Sequence, residues 1–196
     1  MEKFAFNALI ARMKYITRWG LMRAGRAESL SEHTADAAIL AHTLALVSVR
    51  IFGTNVRPET IAVATLYHDA SEILTGDMPT PVKYKNETLR KAYKALEAQA
   101  ADTLTALLPD ALQNEMSGYL HENILTPAEQ TLLKAADRLS ALIKCVDEEQ
   151  SGNREFAGAK AQQTAALEAM HCPEVDYFMQ HMLPCYTMTL DELSKV

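Results

Sequence analysis

Apolar residues recur at every third or fourth position along most of the chain, and the alternating pattern of strands is nearly absent. This spacing is typical of helices that bury one face. The clearest stripe follows Ser29 and Ser31, either of which can cap the start of a helix that ends near Phe52-Gly53. The buried face of this helix is predicted to contain His33, Ala37, Leu40, Ala41, Leu44 and Val47.

Proline and glycine indicate where the other helices begin and end. Helices are predicted over residues 4–16 and 58–74, with an irregular, cation-rich segment after the first and a break over 75–81 after the second. Later helices are predicted over 85–108, 109–121 and 127–149, after Asn153 and Pro173, and in a last turn over 189–195. The apolar stripe of the 58–74 helix contains Ile61, Ala62, Thr65, Leu66 and Ala70.

Composition agrees with a helical protein. Hydrophobic residues make up 48% of the 196 positions and charged residues 22%, which is the balance of an ordinary globular protein. With only 7 Gly and 7 Pro, the chain favours helix through most of its length. A chain of this length can bury one core, so we predict an all-α fold, a single-domain helical bundle over residues 1–196.

Net charge and cysteine usage narrow the classes of function. The formal charge of −6 disfavours a nucleic-acid polymer as partner, because binding to DNA or RNA is driven largely by cationic side chains that displace counterions. Charged residues interrupt the N-terminal segment, so we expect no signal peptide and no membrane partner. The three cysteines form no CxxC pair, and we expect reduced thiols in a cytoplasmic protein.

The segment from Leu66 to Glu72 concentrates polar chemistry in a helix that otherwise looks buried. It places His68 beside Asp69, and Glu72 follows four positions after the histidine. In helical geometry Glu72 shares a face with both residues. Such groups are costly to bury without partners, and a metal ion would explain why they are crowded together. A His-Asp pair alone is weak support for a metal site, because most such pairs are incidental.

Two further polar residues interrupt apolar stripes elsewhere in the chain. His33 lies at the start of the second predicted helix, and Asp137 lies in the helix over 127–149. Asp137 could instead pair with Lys134 or Arg138, and His33 could simply complement a capped helix start. Together with His68 and Asp69 they form a set of two imidazoles and two carboxylates, which suits manganese, cobalt, iron or zinc and leaves positions open for substrate.

The spacing of His33, His68-Asp69 and Asp137 resembles the H…HD…D signature of the HD hydrolases, an all-helical superfamily. The similarity is closer still to the YfbR-type 5′-deoxynucleotidases. One departure is Gly20, where a proline would be expected after the tryptophan. The motifs that carry the closer resemblance are Thr17-Arg18-Trp19, Leu21-Met22-Arg23, Tyr67-His68-Asp69-Ala70-Ser71-Glu72, Thr75-Gly76-Asp77 and Pro79-Thr80-Pro81-Val82-Lys83-Tyr84.

The resemblance implies an HD-type bundle whose metal-site core spans about residues 30–150, a deoxyribonucleoside 5′-monophosphate as substrate, and a homodimer. His33, His68, Asp69 and Asp137 would bind one divalent ion, with Co²⁺ or Mn²⁺ favoured and Zn²⁺, Fe²⁺ or Cu²⁺ as alternatives. Arg18 would orient the substrate phosphate, because its fork of donors matches phosphate oxygens. Trp19 would lie against the sugar, where tight packing disfavours a 2′-hydroxyl.

A hydrolytic mechanism at this site needs further residues around the metal. Glu72 or Asp77 would supply or relay the proton that the leaving alkoxide needs, and the sequence does not choose between them. The turn-forming segment after the Glu72 helix is expected to contact the nucleotide. The predicted substrate contacts are Arg18, Trp19, His33, Asp69, Asp77, Met78, Pro79, Thr80 and Asp137.

Two other functions keep the same metal site. In one, the substrate is a nucleoside triphosphate or a guanosine tetraphosphate alarmone, but Arg23, Arg26 and Lys83 form no obvious cradle for extra phosphates. In the other, the chain is a non-catalytic nucleotide sensor that keeps the metal only as a structural staple. A staple would need neither Arg18 nor the carboxylates of Glu72 and Asp77.

Overall fold

A computed structural model describes residues 2–83 and 85–196, apart from the side chains of Thr80 and Pro81. This part of the chain is helical, and its only extended pairing is one isolated antiparallel bridge between Thr17 and Ser29. The predicted all-α class is therefore confirmed. None of its helices is both long and apolar enough to span a membrane.

Eleven α-helices follow one another along the described residues, and the longest irregular connection lies between Tyr15 and Leu30. Three stretches of 3-10 helix cover Ala11–Tyr15, Arg154–Phe156 and Leu183–Thr187. The α-helices are α1 Phe6–Ile10, α2 Leu30–Arg50, α3 Pro58–Tyr67, α4 Glu72–Thr75, α5 Thr80–Lys83, α6 Glu87–Thr105, α7 Asp110–Leu120, α8 Pro127–Gln150, α9 Ala157–Glu168, α10 Pro173–His181 and α11 Leu190–Leu193.

The two longest helices, α2 and α8, form the centre of the bundle. Each begins with a reciprocal capping box, in which Ser29 and Glu32 cap α2 while Thr126 and Glu129 cap α8. All six residues of the predicted α2 stripe are buried, so that prediction is confirmed. The core between α2, α3 and α8 includes Leu44, Ile61, Ala64, Leu139 and Leu142, which are at most 1% exposed.

The prediction of one helix over 58–74 is wrong. The α3 helix ends at Tyr67, and the backbone then tightens into a turn in which Ala70 N–H donates to Tyr67 O at 3.0 Å and Glu72 N–H to Asp69 O at 3.0 Å. These bonds span three residues instead of four, so the periodicity of the α-helix is lost over 68–71. Leu66, placed in the buried stripe by the periodicity, is 44% exposed.

The irregular segment between α1 and α2 is anchored to α8 by one carboxylate. Glu148 accepts hydrogen bonds from the backbone N–H of Gly25 at 2.7 Å and of Arg26 at 3.3 Å, and from Lys144 Nζ at 2.5 Å. Burial raises the pKa of Glu148, but the bond from Lys144 and the backbone donors outweigh it and lower the pKa to about 2. The carboxylate therefore stays ionised and holds this segment in place.

The first turn of α8 generates a prediction about acid stability. Glu129 is 1% exposed and accepts hydrogen bonds from Arg57 N, Nε and Nη2, as well as from Thr126 N. The bonds from Arg57 lower its pKa from 4.5 to about 2. Because the folded-state pKa lies below the unfolded one, this stabilisation is complete above the unfolded pKa and is lost as pH falls towards the folded pKa.

We expect Glu129→Gln to lower the free energy of unfolding at neutral pH by about 1.5–3 kcal/mol, the usual range for hydrogen bonds to charged groups. Urea unfolding at neutral pH and at successively lower pH would measure the loss, which should shrink as the wild-type carboxylate becomes protonated. Glu59→Gln makes the same chemical change at an exposed position in the first turn of α3 and serves as control. Equal stability of the two variants would contradict the prediction.

Candidate active site

Four side chains from three segments converge between α2, α8 and the turn after α3. His33 extends from the start of α2, His68 and Asp69 from the turn, and Asp137 from α8. Ligand atoms of His33, His68 and Asp69 lie within 4.8 Å of one another. Asp137 Oδ1 lies 3.1 Å from His33 Nε2 and 3.9 Å from His68 Nε2. The structure thus brings together all four residues that were predicted to bind the metal.

The two imidazoles are oriented through their Nδ1 atoms. His68 Nδ1 lies 2.7 Å from Thr65 O, and since a carbonyl can only accept, Nδ1 carries the proton. His33 Nδ1 lies 3.0 Å from the hydroxyl oxygen of Ser140. Hydrogen bonds at Nδ1 leave the Nε2 lone pairs of neutral imidazoles free to bind a metal. Both Nε2 atoms face the carboxylates of Asp69 and Asp137.

The donor set fits a divalent cation. Within the described part of the chain, His33 Nε2 and His68 Nε2 are buried and form no well-directed hydrogen bond, although a carboxylate oxygen lies 3.1 Å from each. Such buried nitrogen atoms are costly unless another group binds them. Burial lowers the pKa of His68, but Asp69 and Asp137 outweigh it and hold the pKa well above its ordinary value. A cation at this point would therefore compete with protons for the imidazoles and would balance the two carboxylates.

The cluster is open to solvent on one side. The His33 and His68 side chains are 0% and 6% exposed, whereas the Asp137 side chain is 42% exposed. A substrate can therefore reach the cluster from the side of Asp137 while the imidazoles stay enclosed. Open coordination positions on an accessible side are typical of catalytic metal sites, whereas structural sites are closed by protein ligands.

Arg18 and Trp19 lie beside the cluster and share one acceptor. Arg18 Nη1 is 3.4 Å from Asp69 Oδ2, and Arg18 Nε is 3.3 Å from Glu28 Oε2. The same Glu28 oxygen accepts from Trp19 Nε1 at 2.9 Å. Trp19 has a φ of 60°, an unusual backbone conformation for a bulky residue, and its ring packs 5.3 Å from that of Phe156. Glu28 therefore holds the guanidinium and the indole in a fixed relation.

Two carboxyl groups, those of Glu72 and Asp77, come shortly after Asp69 in the sequence and differ in how deeply they are buried. Glu72 is 5% exposed and its Oε2 has no hydrogen-bond partner among the described residues. Burial, followed by the charges of Asp69 and Asp77, raises its pKa to about 9. Asp77 is half-buried, and burial raises its pKa too. At neutral pH the Glu72 carboxyl group holds a proton that it can donate.

The predicted nucleotide-contacting segment is an irregular stretch between α4 and α5. Gly76 has a φ of 76°, which glycine adopts readily, and its carbonyl accepts a hydrogen bond from Tyr93 Oη at 3.1 Å. Met78 and Pro79 are half-buried there. The Thr80 side chain, also predicted to contact substrate, lies outside the described residues. The path of the segment is therefore tied to α6 through Tyr93.

Three residues near the cluster were not predicted from the sequence. Ser140 lies three positions after Asp137 on α8, so the helical spacing of the two could have revealed it. Glu28 offers no such signal. Glu122, which follows α7, has a φ of 56°, and its pKa is raised by burial while His68 lowers it and the site carboxylates raise it. Its position beside the site depends on the packing of α7.

The Ser140 contact leads to a prediction about metal affinity. Ser140→Ala removes the only hydrogen-bond partner of His33 Nδ1 in the described part of the chain, so the imidazole loses its fixed orientation. Loss of such a partner typically weakens metal binding about 10- to 100-fold. Calorimetric titration of the metal-stripped protein with Co²⁺ or Mn²⁺ would measure the change. Thr34→Val, which removes a buried hydroxyl bonded only to Leu30 O, should leave the affinity unchanged.

Comparison with known proteins agrees with this architecture. The model of the family of YfbR-like 5′-deoxynucleotidases matches residues 5–186. The 5′-deoxynucleotidase YfbR of Escherichia coli is 45% identical over 195 residues, which cover 100% of this chain and 98% of the relative.

Two solved structures share the fold. An HD-domain phosphohydrolase from Listeria innocua superimposes with a TM-score of 0.81 at 23% identity, over 96% of this chain and 91% of that protein. The HD phosphohydrolase of cyanophage S-2L, whose structure holds dA and one catalytic Zn²⁺ ion, has a TM-score of 0.67 at 17% identity, over 93% of this chain and 99% of that one. This chain therefore has the HD-domain fold and belongs to the YfbR-like family of 5′-deoxynucleotidases.

Proposed function

We propose that this protein is a metal-dependent phosphomonoesterase that hydrolyses deoxyribonucleoside 5′-monophosphates to deoxyribonucleosides and phosphate. The observation that carries the proposal is the position of Arg18, whose guanidinium lies 3.4 Å from a carboxylate of the enclosed His-His-Asp cluster. A phosphate-binding cation beside a metal-binding donor set suits hydrolysis of a phosphoester. The name of the Escherichia coli relative, 5′-deoxynucleotidase, supports the same activity.

The metal we propose is one divalent ion bound by His33, His68, Asp69 and Asp137, with Co²⁺ or Mn²⁺ favoured. Two imidazoles and two carboxylates form a borderline donor set, which also accepts Zn²⁺, Fe²⁺ or Cu²⁺. The structure of the cyanophage phosphohydrolase, which has the same fold and holds one catalytic Zn²⁺ ion, supports this proposal. When bound, the ion would supply a Lewis acid and lower the pKa of water.

The phosphate would be bound by Arg18. Its guanidinium can donate two parallel hydrogen bonds to phosphate oxygens and neutralise the charge that builds up on them. Burial lowers the pKa of Arg18, but the charges of Asp69, Asp137 and Glu28 outweigh burial and raise the pKa. The guanidinium therefore stays charged. The cluster is open to solvent beside the half-exposed Asp137, and this opening leaves room for the phosphate. The phosphate would also contact His33 and Asp69.

The leaving 5′-alkoxide needs a proton, and Glu72 and Asp77 are the candidates to supply or relay it. Glu72 is protonated at neutral pH because burial and the nearby carboxylates raise its pKa to about 9. A cation at the cluster would offset the Asp69 contribution and bring that pKa closer to neutrality. Burial raises the pKa of Asp77 while the charge of Arg18 lowers it, and this half-buried group is the second candidate to supply or relay the proton.

The sugar would lie against Trp19. The indole is held by Glu28 and by Phe156, so it cannot easily move aside for a 2′-hydroxyl. We therefore propose discrimination against ribonucleotides at this residue. The remaining substrate contacts are proposed for Asp77, Met78, Pro79 and Thr80.

Monophosphates are favoured over longer phosphate chains because the nearby cations already have partners. Arg23 Nη2 lies 3.0 Å from Glu155 Oε2, Arg26 Nη2 lies 2.7 Å from Glu32 Oε1, and Lys83 Nζ lies 2.6 Å from Glu97 Oε1. A triphosphate or alarmone would have to break these ion pairs. An assay that separates orthophosphate from pyrophosphate and triphosphate release distinguishes the two classes of substrate.

We further propose that the chain forms one domain over residues 1–196, acts as a homodimer and works in the cytoplasm. The cysteines support a reducing compartment, since Cys145, Cys172 and Cys185 are all free thiols. Two of them are buried and one is half-buried.

The main test measures phosphate release from paired deoxyribo- and ribonucleoside 5′-monophosphates, with and without Co²⁺ or Mn²⁺. We expect activity that requires added metal and that prefers the deoxyribonucleotide of each pair. Trp19→Ala should reduce this preference, while Trp19→Phe, which keeps a ring against Phe156, should retain most of it. If the wild-type protein hydrolysed the two nucleotides of every pair at equal rates, Trp19 would not have the proposed role. Absence of phosphate release despite bound metal would favour the non-catalytic nucleotide sensor.

Single substitutions test the roles of the polar residues. Arg18→Ala should lower kcat/KM by about 100-fold or more, because a transition-state contact is lost. Glu72→Gln and Asp77→Asn should lower kcat more than they raise KM, and the variant that lacks the proton donor should lose the alkaline limb of the pH profile. Arg12→Ala and Glu115→Gln are exposed controls for charge loss. Wild-type turnover in all three site variants would refute the assignments.

A further inference from the structure

Glu28 lies opposite Arg18 in the short antiparallel pairing that precedes α2. The bridge between Thr17 and Ser29 brings the two stretches of backbone together, and Arg18 N–H donates to Glu28 O at 2.9 Å. Ser29, the next residue, caps the start of α2. The Glu28 side chain is only 12% exposed. Both the backbone and the carboxylate of Glu28 are therefore fixed relative to the helix that carries His33.

One oxygen atom of Glu28 serves two donors. Oε2 accepts from Trp19 Nε1 at 2.9 Å and from Arg18 Nε at 3.3 Å. The indole also packs against Phe156, which is fully buried, with the ring centroids 5.3 Å apart. A group that presses on the indole therefore either displaces the shared oxygen or breaks one of its two hydrogen bonds.

Arg18 is placed between this oxygen and the metal cluster. Its Nη1 lies 3.4 Å from Asp69 Oδ2, while its Nε faces Glu28. Because Asp69 belongs to the proposed metal ligands, a bound cation would engage that carboxylate and leave Glu28 to set the direction of the guanidinium. With Nε held there, the two Nη groups form the edge that can bind two phosphate oxygens in parallel.

The exact position of this guanidinium affects the rate of hydrolysis more than the binding of substrate. An arginine that neutralises charge on the phosphoryl oxygens acts mainly in the transition state, and a misplacement of about 1 Å can cost about 100-fold in rate. A 2′-hydroxyl that presses on Trp19 would disturb Arg18 through Glu28, although the sugar and the phosphate contact different side chains. A ribonucleotide that does bind would therefore be hydrolysed slowly.

We infer that Glu28 is a positioning residue that couples the sugar contact at Trp19 to the phosphate contact at Arg18, so that a 2′-hydroxyl lowers kcat as well as raising KM. The inference rests on the function proposed above and adds the residue that joins its two recognition elements. Simple exclusion of the 2′-hydroxyl by Trp19 would instead weaken binding and leave kcat unchanged.

Separate values of kcat and KM on paired deoxyribo- and ribonucleoside 5′-monophosphates test this coupling. In the wild-type protein, kcat on the deoxyribonucleotide should exceed kcat on the ribonucleotide by about tenfold or more. Glu28→Asp keeps the charge but withdraws the carboxylate by one methylene group, so it cannot reach both donors, and Glu28→Leu removes the acceptor. Both variants should lower kcat on the deoxyribonucleotide and bring the ratio of the two kcat values close to one, with less change in the ratio of the KM values.

Glu155→Gln is the matched control. Glu155 is an exposed carboxylate that pairs with Arg23 of the same irregular segment, and its replacement should leave the kcat ratio as in the wild type. Circular dichroism checks that the variants are folded, and Glu28→Asp decides the question if Glu28→Leu is not. A wild-type preference that lies entirely in KM, or an unchanged kcat ratio in folded Glu28→Asp, would overturn the inference.

Fluorescence gives a second test that does not depend on turnover, because Trp19 is the only tryptophan in the chain. Saturating inorganic phosphate should change the emission of the Mn²⁺-loaded wild-type protein, and this change should be lost in Glu28→Asp, with calorimetry used to verify saturation. No change in the phosphate-bound wild type, or the same change in both proteins, would contradict the coupling. If no nucleoside monophosphate releases phosphate, the proposed activity fails, and the titration still tests the link between Arg18 and Trp19.

Discussion

The structure depends on how it accommodates imidazoles and carboxylates that are buried together among apolar helices, because burying such groups unpaired costs free energy. His33, His68, Asp69 and Asp137 come from three segments. Two of their nitrogen atoms form no well-directed hydrogen bond in the described chain, although carboxylate oxygens lie 3.1 Å away. Unpaired polar atoms at such depth are unfavourable, and a divalent cation is the one group that can bind both imidazoles and both carboxylates at once. The packing of α2 against α3 and α8 is therefore also what assembles the metal site.

The irregular segment before α2 shows how a loop can carry precise chemistry. Its middle is attached to α8 by Glu148, and its start is joined to Ser29 by the bridge at Thr17. Glu28 then holds both Arg18 and Trp19. The carboxylates of Glu28 and Glu148 thus fix the path of this segment, whereas a helix is fixed by its own backbone hydrogen bonds. The side chains proposed to bind the phosphate and to face the sugar are placed by long-range contacts, which explains why a bulky residue retains a left-handed backbone there.

The α2 helix has two functions on two parts of its surface. Its inner face packs in the core, and its first turn carries His33. A capping box at Ser29 fixes where the helix begins, and hence the position of His33 relative to α8.

Local rules in the sequence determined most of the helices and indicated the residues proposed to bind the metal. Caps, prolines and three-and-four spacing act within a few residues, so the starts of α2, α3 and α8 and the buried stripe of α2 were predictable. The polar residues that interrupt those stripes singled out His33, His68, Asp69 and Asp137. Tertiary structure alone decided the turn over 68–71, the exposure of Leu66, and the parts played by Glu28, Ser140 and Glu122. These features arise from contacts between segments far apart in the chain, as in the 107-residue separation of His33 and Ser140, and local propensity carries no information about such pairs.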